Sequence, residues 1–240
     1  MFAEYFIKHE KEILKKAKSR KTTKGQSDKG TKSKKQESTS FNDLIERLNK
    51  MIPSHLKIDT NRLIDASGYS PKGVDFIVYK EYFRDIVNMM GGFVPAELTY
   101  ATYHVSPNVN KKGLPEVLDR VVQTKKVSRY IDREKESPLI PAFIFAYDSS
   151  YTLPELKNAI LEYYMSKGIG HEYECDIIAI LHKGIIIKNW REKRSYIALE
   201  TKDDTLMWYI ILMNEYLEVD RGEDFDLRDY VKQSEKYEEY

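Results

Sequence analysis

Asp75 and the residues that follow it are where this chain of 240 residues first offers chemistry. Asp75 opens the apolar run GVDFIVY after a glycine-containing turn. A second run, PAELTYATYHV, begins at Glu97 and ends at His104 and Ser106, and a helical segment carrying Glu116 comes next. An acid at the start of one strand and polar groups at the end of the next converge at a sheet edge. Oxygen ligands so placed suit Mg²⁺ held together with a substrate phosphate. A plainer reading stands beside this one: Asp75 caps its turn, and Glu97 is an exposed acid at a strand start. Other chemistry has less support. There is no phosphate-binding glycine loop, no zinc-binding helix motif and no nucleophile elbow. Cys175 begins an apolar strand and reads as a buried structural thiol. His171 stands beside Glu172, Glu174 and Asp176, a set able in principle to hold a metal, but alternating acids before a strand are expected to be solvated.

The elements that must position these residues alternate between two periods. Phe2, Tyr5, Phe6, His9, Ile13 and Leu14 recur at helical spacing, which predicts an N-terminal helix over 1–18. A second helix starts near Ser40, with Phe41, Leu44, Ile45, Leu48 and Ile52 on one stripe, and Pro53 ends it. LKIDTNRLID and VDFIVYK read as strands, EYFRDIVNMMGG as a helical insert, and FVPAELTYATYHV as one further strand. A helix begins at Pro115, with Leu118, Val121, Val122 and Val127 inward. PAFIFAY and CDIIAILHKG are apolar throughout, as strands buried on both faces are, and GIIIKNW and SYIALET continue the pattern. Helices over YTLPELKNAILEYYMSKGI and DDTLMWYIILMNEYLEV complete an α/β fold with a mostly parallel or mixed sheet covered on both faces.

Charge divides the chain more sharply than the total suggests. The formal net charge is +1, yet Lys15–Lys35 holds ten bases against the single acid Asp28, a local +9 that leaves −8 for the remainder. That stretch has one apolar residue, Ala17, and reads as a disordered basic linker over 15–36, between a helix over 1–14 and an α/β domain over 37–219. An acidic tail over 220–240 follows. The linker is either a solubilising spacer or an arm that holds nucleic-acid phosphates. In the second case Lys15, Lys16, Lys18, Arg20, Lys21 and Lys24 are the contacts, with Lys72 beside the Asp75 turn. A lone cysteine fits the reducing cytoplasm, no apolar run is long enough for a membrane span, and the mixed charges of the N-terminus argue against a signal peptide. The 18 tyrosines and the tail YVKQSEKYEEY leave self-association as a further reading.

The run from IDTNRLIDASGYSPKGVDFIVYK through FVPAELTYATYHVSPNV to LDRVVQTKKV resembles an uncharacterised bacterial and phage family, domain of unknown function 6602, which has a restriction-endonuclease-like core. The matching parts are IERLNKMIP, Asp75 with Phe76, Ile77 and Val78, then Pro95, Glu97, Tyr100, Ala101 and Val105, with the later alternation over roughly 37–218. The resemblance implies a restriction-endonuclease-like mixed sheet flanked by helices on both faces. It also implies a nuclease-like protein of a prokaryotic or phage defence or counter-defence system that binds nucleic acid, its metal-dependent phosphodiesterase activity weak, migrated or lost, with Mg²⁺ or Mn²⁺ as cofactor if active and none otherwise. In PD-(D/E)XK nucleases two acids bind the metal and a lysine serves the attacking water. Here Asp75 matches the first acid, but His104 and Ser106 stand where the second acid and the lysine belong. Histidine lacks the charge that holds hard Mg²⁺, and serine carries no positive charge. Either the functions have moved, with Glu37, Glu97, Glu116, Lys72, Lys111 and Lys112 as the available replacements, or the site is dead. The catalytic positions are therefore Asp75, Glu97, His104 and Ser106, the metal ligands Asp75 and Glu97, and the partner a nucleic acid (DNA first) or a protein. The alternative is a non-catalytic protein-binding module, an inhibitor or effector-binding scaffold on the same fold.

Overall fold

Continuous apolar runs and helical stripes produce two layers of helix around one sheet. The computed structural model describes residues 2–23, 42–132, 135–136, 139–192, 194–217 and 238–239. Helix α1 spans Phe2–Thr23 and α2 spans 42–49. Strands β1 (Leu56–Asp59), β2 (Arg62–Ile64) and β3 (Phe76–Lys80) follow, then helix α3 (Arg84–Met89), β4 (Phe93–Pro95) and β5 (Thr99–Ser106). Helix α4 (Gly113–Lys125), the short strands β6 (Tyr130–Asp132) and β7 (Lys135–Glu136), β8 (Ala142–Ala146) and helix α5 (Leu153–Ser166) make up the middle. The chain continues through β9 (Ile177–Ile180), β10 (Gly184–Lys188), β11 (Tyr196–Glu200), helix α6 (Thr205–Leu217) and β12 (Glu238–Glu239).

The main sheet runs β1-β3-β5-β8-β9-β10-β11-β12 among the described residues. It is mixed: β5, β8 and β9 are mutually parallel, and every other neighbouring pair is antiparallel. The two parallel steps are made by α4 and α5, which lie together on one face against Ala142, Ile144, Ala146, Ile178 and Ile180. The opposite face carries Phe76, Val78, Tyr103, Phe143, Phe145 and Ile177, covered by Phe6, Ile13 and Leu14 of α1, Leu44 and Leu48 of α2, and α6. Period-2 alternation sorts these side chains, so β3 sends Phe76 and Val78 one way and Ile77 and Tyr79 the other, into a small core shared with β2 and β4.

Several boundaries differ from the sequence reading. LKIDTNRLID is two strands: the Asp59 carboxylate accepts the Thr60 N–H at 2.8 Å and turns the chain, so β2 leaves the main sheet and pairs in parallel with β4. FVPAELTYATYHV is also two strands, broken by a 3₁₀ turn over Ala96–Leu98 after Pro95. Helix α4 starts and stops earlier than expected. Helix α1 continues to Thr23, so the first part of the basic stretch is helical rather than without structure; lysine, arginine and alanine are good helix formers. The rest of that stretch and most of the acidic tail lie outside the described residues. No helix of the described residues is long and apolar enough to cross a membrane.

Candidate functional site

Asp75 stands where β3 stops pairing with β5. Its N–H donates to the Tyr103 carbonyl at 2.9 Å, the last rung before the strands part. Beyond that rung the peptide of Val105 has no ladder partner on the β3 side, and side chains supply one. The Asp75 carboxylate accepts the Val105 N–H at 2.7 Å, and Arg120 of α4 donates to the Val105 carbonyl at 3.2 Å. The same guanidinium donates to Asp75 Oδ2 at 3.0 Å and to the Gly73 carbonyl at 3.1 Å. Gly73 is required here. Its φ is +85°, and a Cβ would run into the Cγ and Cδ of Arg120 lying across it. Burial raises the Asp75 carboxyl above the ordinary carboxylate value, against the opposing pull of the Val105 N–H and the Arg120 charge.

His104 lies on the side of β5 that faces α4, in a row with Thr102 and Ser106, all three buried. Its Nδ1 is 3.0 Å from the Gly73 carbonyl, and its Nε2 is 3.4 Å from Thr124 Oγ1. A carbonyl only accepts, so Nδ1 carries the proton and Nε2 keeps the lone pair, turned toward α4. Burial first, then the Arg120 charge, pull the imidazole down to about 3, so it is neutral at any ordinary pH. Its one available ligating nitrogen faces Thr124 and not Asp75.

Glu97 does not join this group. Thr99 pairs with Tyr79, whereas Tyr103 pairs with Phe76, so Glu97 lies past the other end of the β3–β5 pair. At ~3.3 Å per residue, the six steps from Thr99 to Val105 span roughly 20 Å. Its charge acts on Arg129 instead. The expected joining of Asp75 and Glu97 around one metal therefore fails on register. Glu116, Lys111 and Lys112 are exposed at the start of α4, and Lys72 is exposed beside Gly73. Glu37 and Lys24 lie outside the described residues. Lys15, Lys16, Lys18, Arg20 and Lys21 sit on α1, and Lys16 is ion-paired with Asp43.

The donor set at Asp75 does not fit a resident divalent metal. Its carboxylate is engaged by Arg120 and Val105, the free ring nitrogen of His104 faces Thr124, and among the described residues no second acid acts on it. Among the described residues no group of three or more His, Cys, Asp or Glu side chains is placed to hold a metal. Sequence reasoning missed Arg120. Its one signal is position: Val117, Arg120 and Thr124 share the inward stripe of α4, where a charge is out of place without a partner.

A second polar group lies at the far end of α4. Lys125 and Asp176 form a fully buried ion pair at 2.7 Å, and Asp176 also accepts the Ala142 N–H at 2.8 Å. Lys188 donates to the His171 carbonyl and lies 3.8 Å from the Trp190 ring centroid, while Glu174 pairs with His171 at 2.9 Å. Glu174 and Asp176 are thus buried and partnered rather than solvated. Cys175 is buried with its thiol pushed up to about 11, which fits a structural role.

The mixed sheet, the helices on both faces and the acid at the β3 end define a restriction-endonuclease-like fold. Structures similar to this chain include those of NucC. P. aeruginosa NucC in its cAAA-bound form has a TM-score of 0.64 at 12% identity, over 90% of this chain and 92% of that one. E. coli NucC gives 0.65 at 12% identity when cAAA-bound, over 90% and 91%, and 0.62 at 14% identity in its apo form, over 90% and 92%. No protein-family model and no curated protein sequence matches the chain.

Proposed function

We propose that this protein is a nuclease-like component of a prokaryotic or phage defence or counter-defence system that acts by binding, its metal-dependent phosphodiesterase activity lost. The observation that carries the reading is Arg120: the one acid at the motif position is bound to a guanidinium, and His104 and Ser106 replace the groups that would bring the metal and the water. The similarity to NucC structures supports the fold on which this function would rest. The motif resemblance to domain of unknown function 6602 supports the same assignment from the sequence side. Nucleic acid is the first partner of choice, through the basic run that begins on α1. Because two of the similar structures carry cAAA, that molecule is the first small ligand to assay.

The test is cleavage. The full chain is incubated with supercoiled plasmid and Mn²⁺ or Mg²⁺, beside Asp75→Ala. The expected result is no nicking above the buffer control by either protein, with plasmid retained in a mobility-shift assay by both. Nicking by the wild type that disappears in Asp75→Ala overturns the loss of catalysis.

A further inference from the structure

Trp190 stands in the loop after β10 and is 57% exposed. It is nevertheless held. The Lys188 ammonium lies over one face of the indole, 3.8 Å from the ring centroid. The His171 ring meets it at 5.7 Å and 68°, and the indole Nε1–H donates to Tyr216 Oη of α6 at 3.0 Å. Lys188 is itself buried and anchored on the His171 carbonyl, so the cation behind the indole is fixed. An indole placed for packing turns its area inward; this one is fastened at a face and an edge and left largely in water. Its surroundings are basic. The sequence from Lys188 to Arg194 holds four bases against the single acid Glu192, and Arg191 and Arg194 are exposed. The register puts this loop at the opposite end of the sheet from Asp75. Strands β5, β8 and β9 end side by side at Ser106, Ala146 and Ile180, and Gly184 of β10 pairs with Ile180, so Lys188 lies at the other end. Across the sheet, four strand steps separate β3 from β10, roughly 19 Å at ~4.8 Å each.

We infer that Trp190, backed by Lys188 and flanked by Arg191 and Arg194, is a stacking platform for single-stranded nucleic acid, the indole taking a base and the two guanidiniums the neighbouring phosphates. Every base has a π-face, so such a platform is indifferent to sequence. In a duplex those faces are closed by the neighbouring base pairs, and only an unpaired strand offers one. Arginine suits the rim because its fork matches a pair of phosphate oxygens. A protein partner also buries indoles, but the excess of bases between Lys188 and Arg194 favours a polyanion. This site goes beyond the functional reading, which places nucleic acid on the basic run of α1. The two lie on different elements and fail separately. Loss of duplex retention removes the α1 contact and leaves the platform, and loss of base stacking removes the platform and leaves the α1 contact.

The experiment uses the full chain as wild type, Trp190→Leu, Trp190→Phe and the Arg191→Gln/Arg194→Gln pair. The probes are a short oligo(dT), a duplex of the same length and an abasic strand of the same length. Affinity is read from the anisotropy of labelled probe, stacking from tryptophan emission with unlabelled probe, and folding from circular dichroism. Trp190→Leu is expected to bind oligo(dT) about 5- to 150-fold more weakly, the loss of one stacked base, and to bind the duplex as wild type does. Trp190→Phe, which keeps a ring over Lys188, retains most of the oligo(dT) affinity. Oligo(dT) quenches the wild-type emission and the abasic strand does not. In Trp190→Leu the remaining emission, from Trp208, is unchanged by either. The arginine pair lowers the magnitude of the log–log salt slope on oligo(dT) by as much as about 1.4, at about 0.7 for each phosphate. Equal affinity of wild type and Trp190→Leu for oligo(dT) overturns the inference. So does a loss of the same size on the duplex, or an abasic strand that wild type binds as well as oligo(dT). Wild type that binds no oligo(dT) overturns it outright. The quenching comparison needs no variant, so it decides the inference even where Trp190→Leu does not fold.

Discussion

Glu10 and His104 are both buried titratable groups, and burial makes them act on stability in opposite senses. Glu10 of α1 accepts the His182 N–H at 2.7 Å and the Leu206 N–H at 2.8 Å. Burial nevertheless raises its carboxyl from 4.5 to about 7, helped by Asp203 and Asp204 and only partly opposed by the two N–H groups. Between those pH values the folded chain holds a proton that the unfolded chain has released, so the contribution of Glu10 falls as pH rises from 4.5 to about 7. His104 is pulled down from 6.5 to about 3, so there the unfolded chain holds the extra proton, and its contribution is lost as pH falls below 6.5. The two slopes oppose each other between 4.5 and 6.5. Urea midpoints from about pH 4 to about pH 8 should therefore separate under substitution. Relative to wild type, Glu10→Gln gains stability as pH rises through that range. His104→Asn, which keeps a donor toward the Gly73 carbonyl, gains stability relative to wild type as pH falls. Curves parallel to wild type in both variants would show that neither shift exists.

At the scale of elements, the pair Lys125–Asp176 fastens the end of α4 to the residue before β9, and through the Ala142 N–H to the start of β8. Both side chains are fully buried, so removing one leaves a charge with no water to receive it. Lys125→Met should cost about 3–5 kcal/mol in denaturant unfolding, and Lys125→Met with Asp176→Asn should recover most of that loss. A single variant within about 1 kcal/mol of wild type would mean that water reaches the pair. Neither partner announces this role in the sequence, where Asp176 reads as one more acid before a strand. The strands around it are legible, because PAFIFAY and CDIIAILHKG have no polar face and only a sheet covered on both sides accommodates that. The split of LKIDTNRLID is less legible, since both halves carry strand formers and the break depends on one Asp59 side chain turning back on Thr60. The site divides the same way. Asp75 and His104 could be placed by strand period. The separation of Glu97 depends on how β3 registers against β5, and the arrival of Arg120 depends on how α4 seats across β5; both are tertiary facts, and the one local signal is the charge of Arg120 on the inward stripe of α4.

Over the whole molecule, the net charge of +1 is the near-cancellation of a +9 stretch and a −8 remainder. The structure shows where the two begin to meet. Lys16 is paired with Asp43, and Arg47 reaches both Asp43 and Glu12, so α1 and α2 are already joined by ion pairs at the edge of the basic run. Lys16 is thus engaged by the protein's own acids, and its release to a phosphate would cost that pair. Its neighbours along the basic run therefore offer a separate measure of phosphate binding. Affinity for a short duplex DNA is followed against salt for wild type, for Lys16→Gln, and for a variant with Lys15, Lys18, Lys21 and Lys24 changed to Gln. If those four neutralise phosphates, the magnitude of the log–log slope falls by as much as about 3.6, at about 0.9 for each phosphate no longer neutralised, while Lys16→Gln lowers it by well under about 0.9. An unchanged slope in the fourfold variant removes the arm from DNA binding. The protein-binding reading then takes its place, with the basic run facing acidic surface, its own or a partner's.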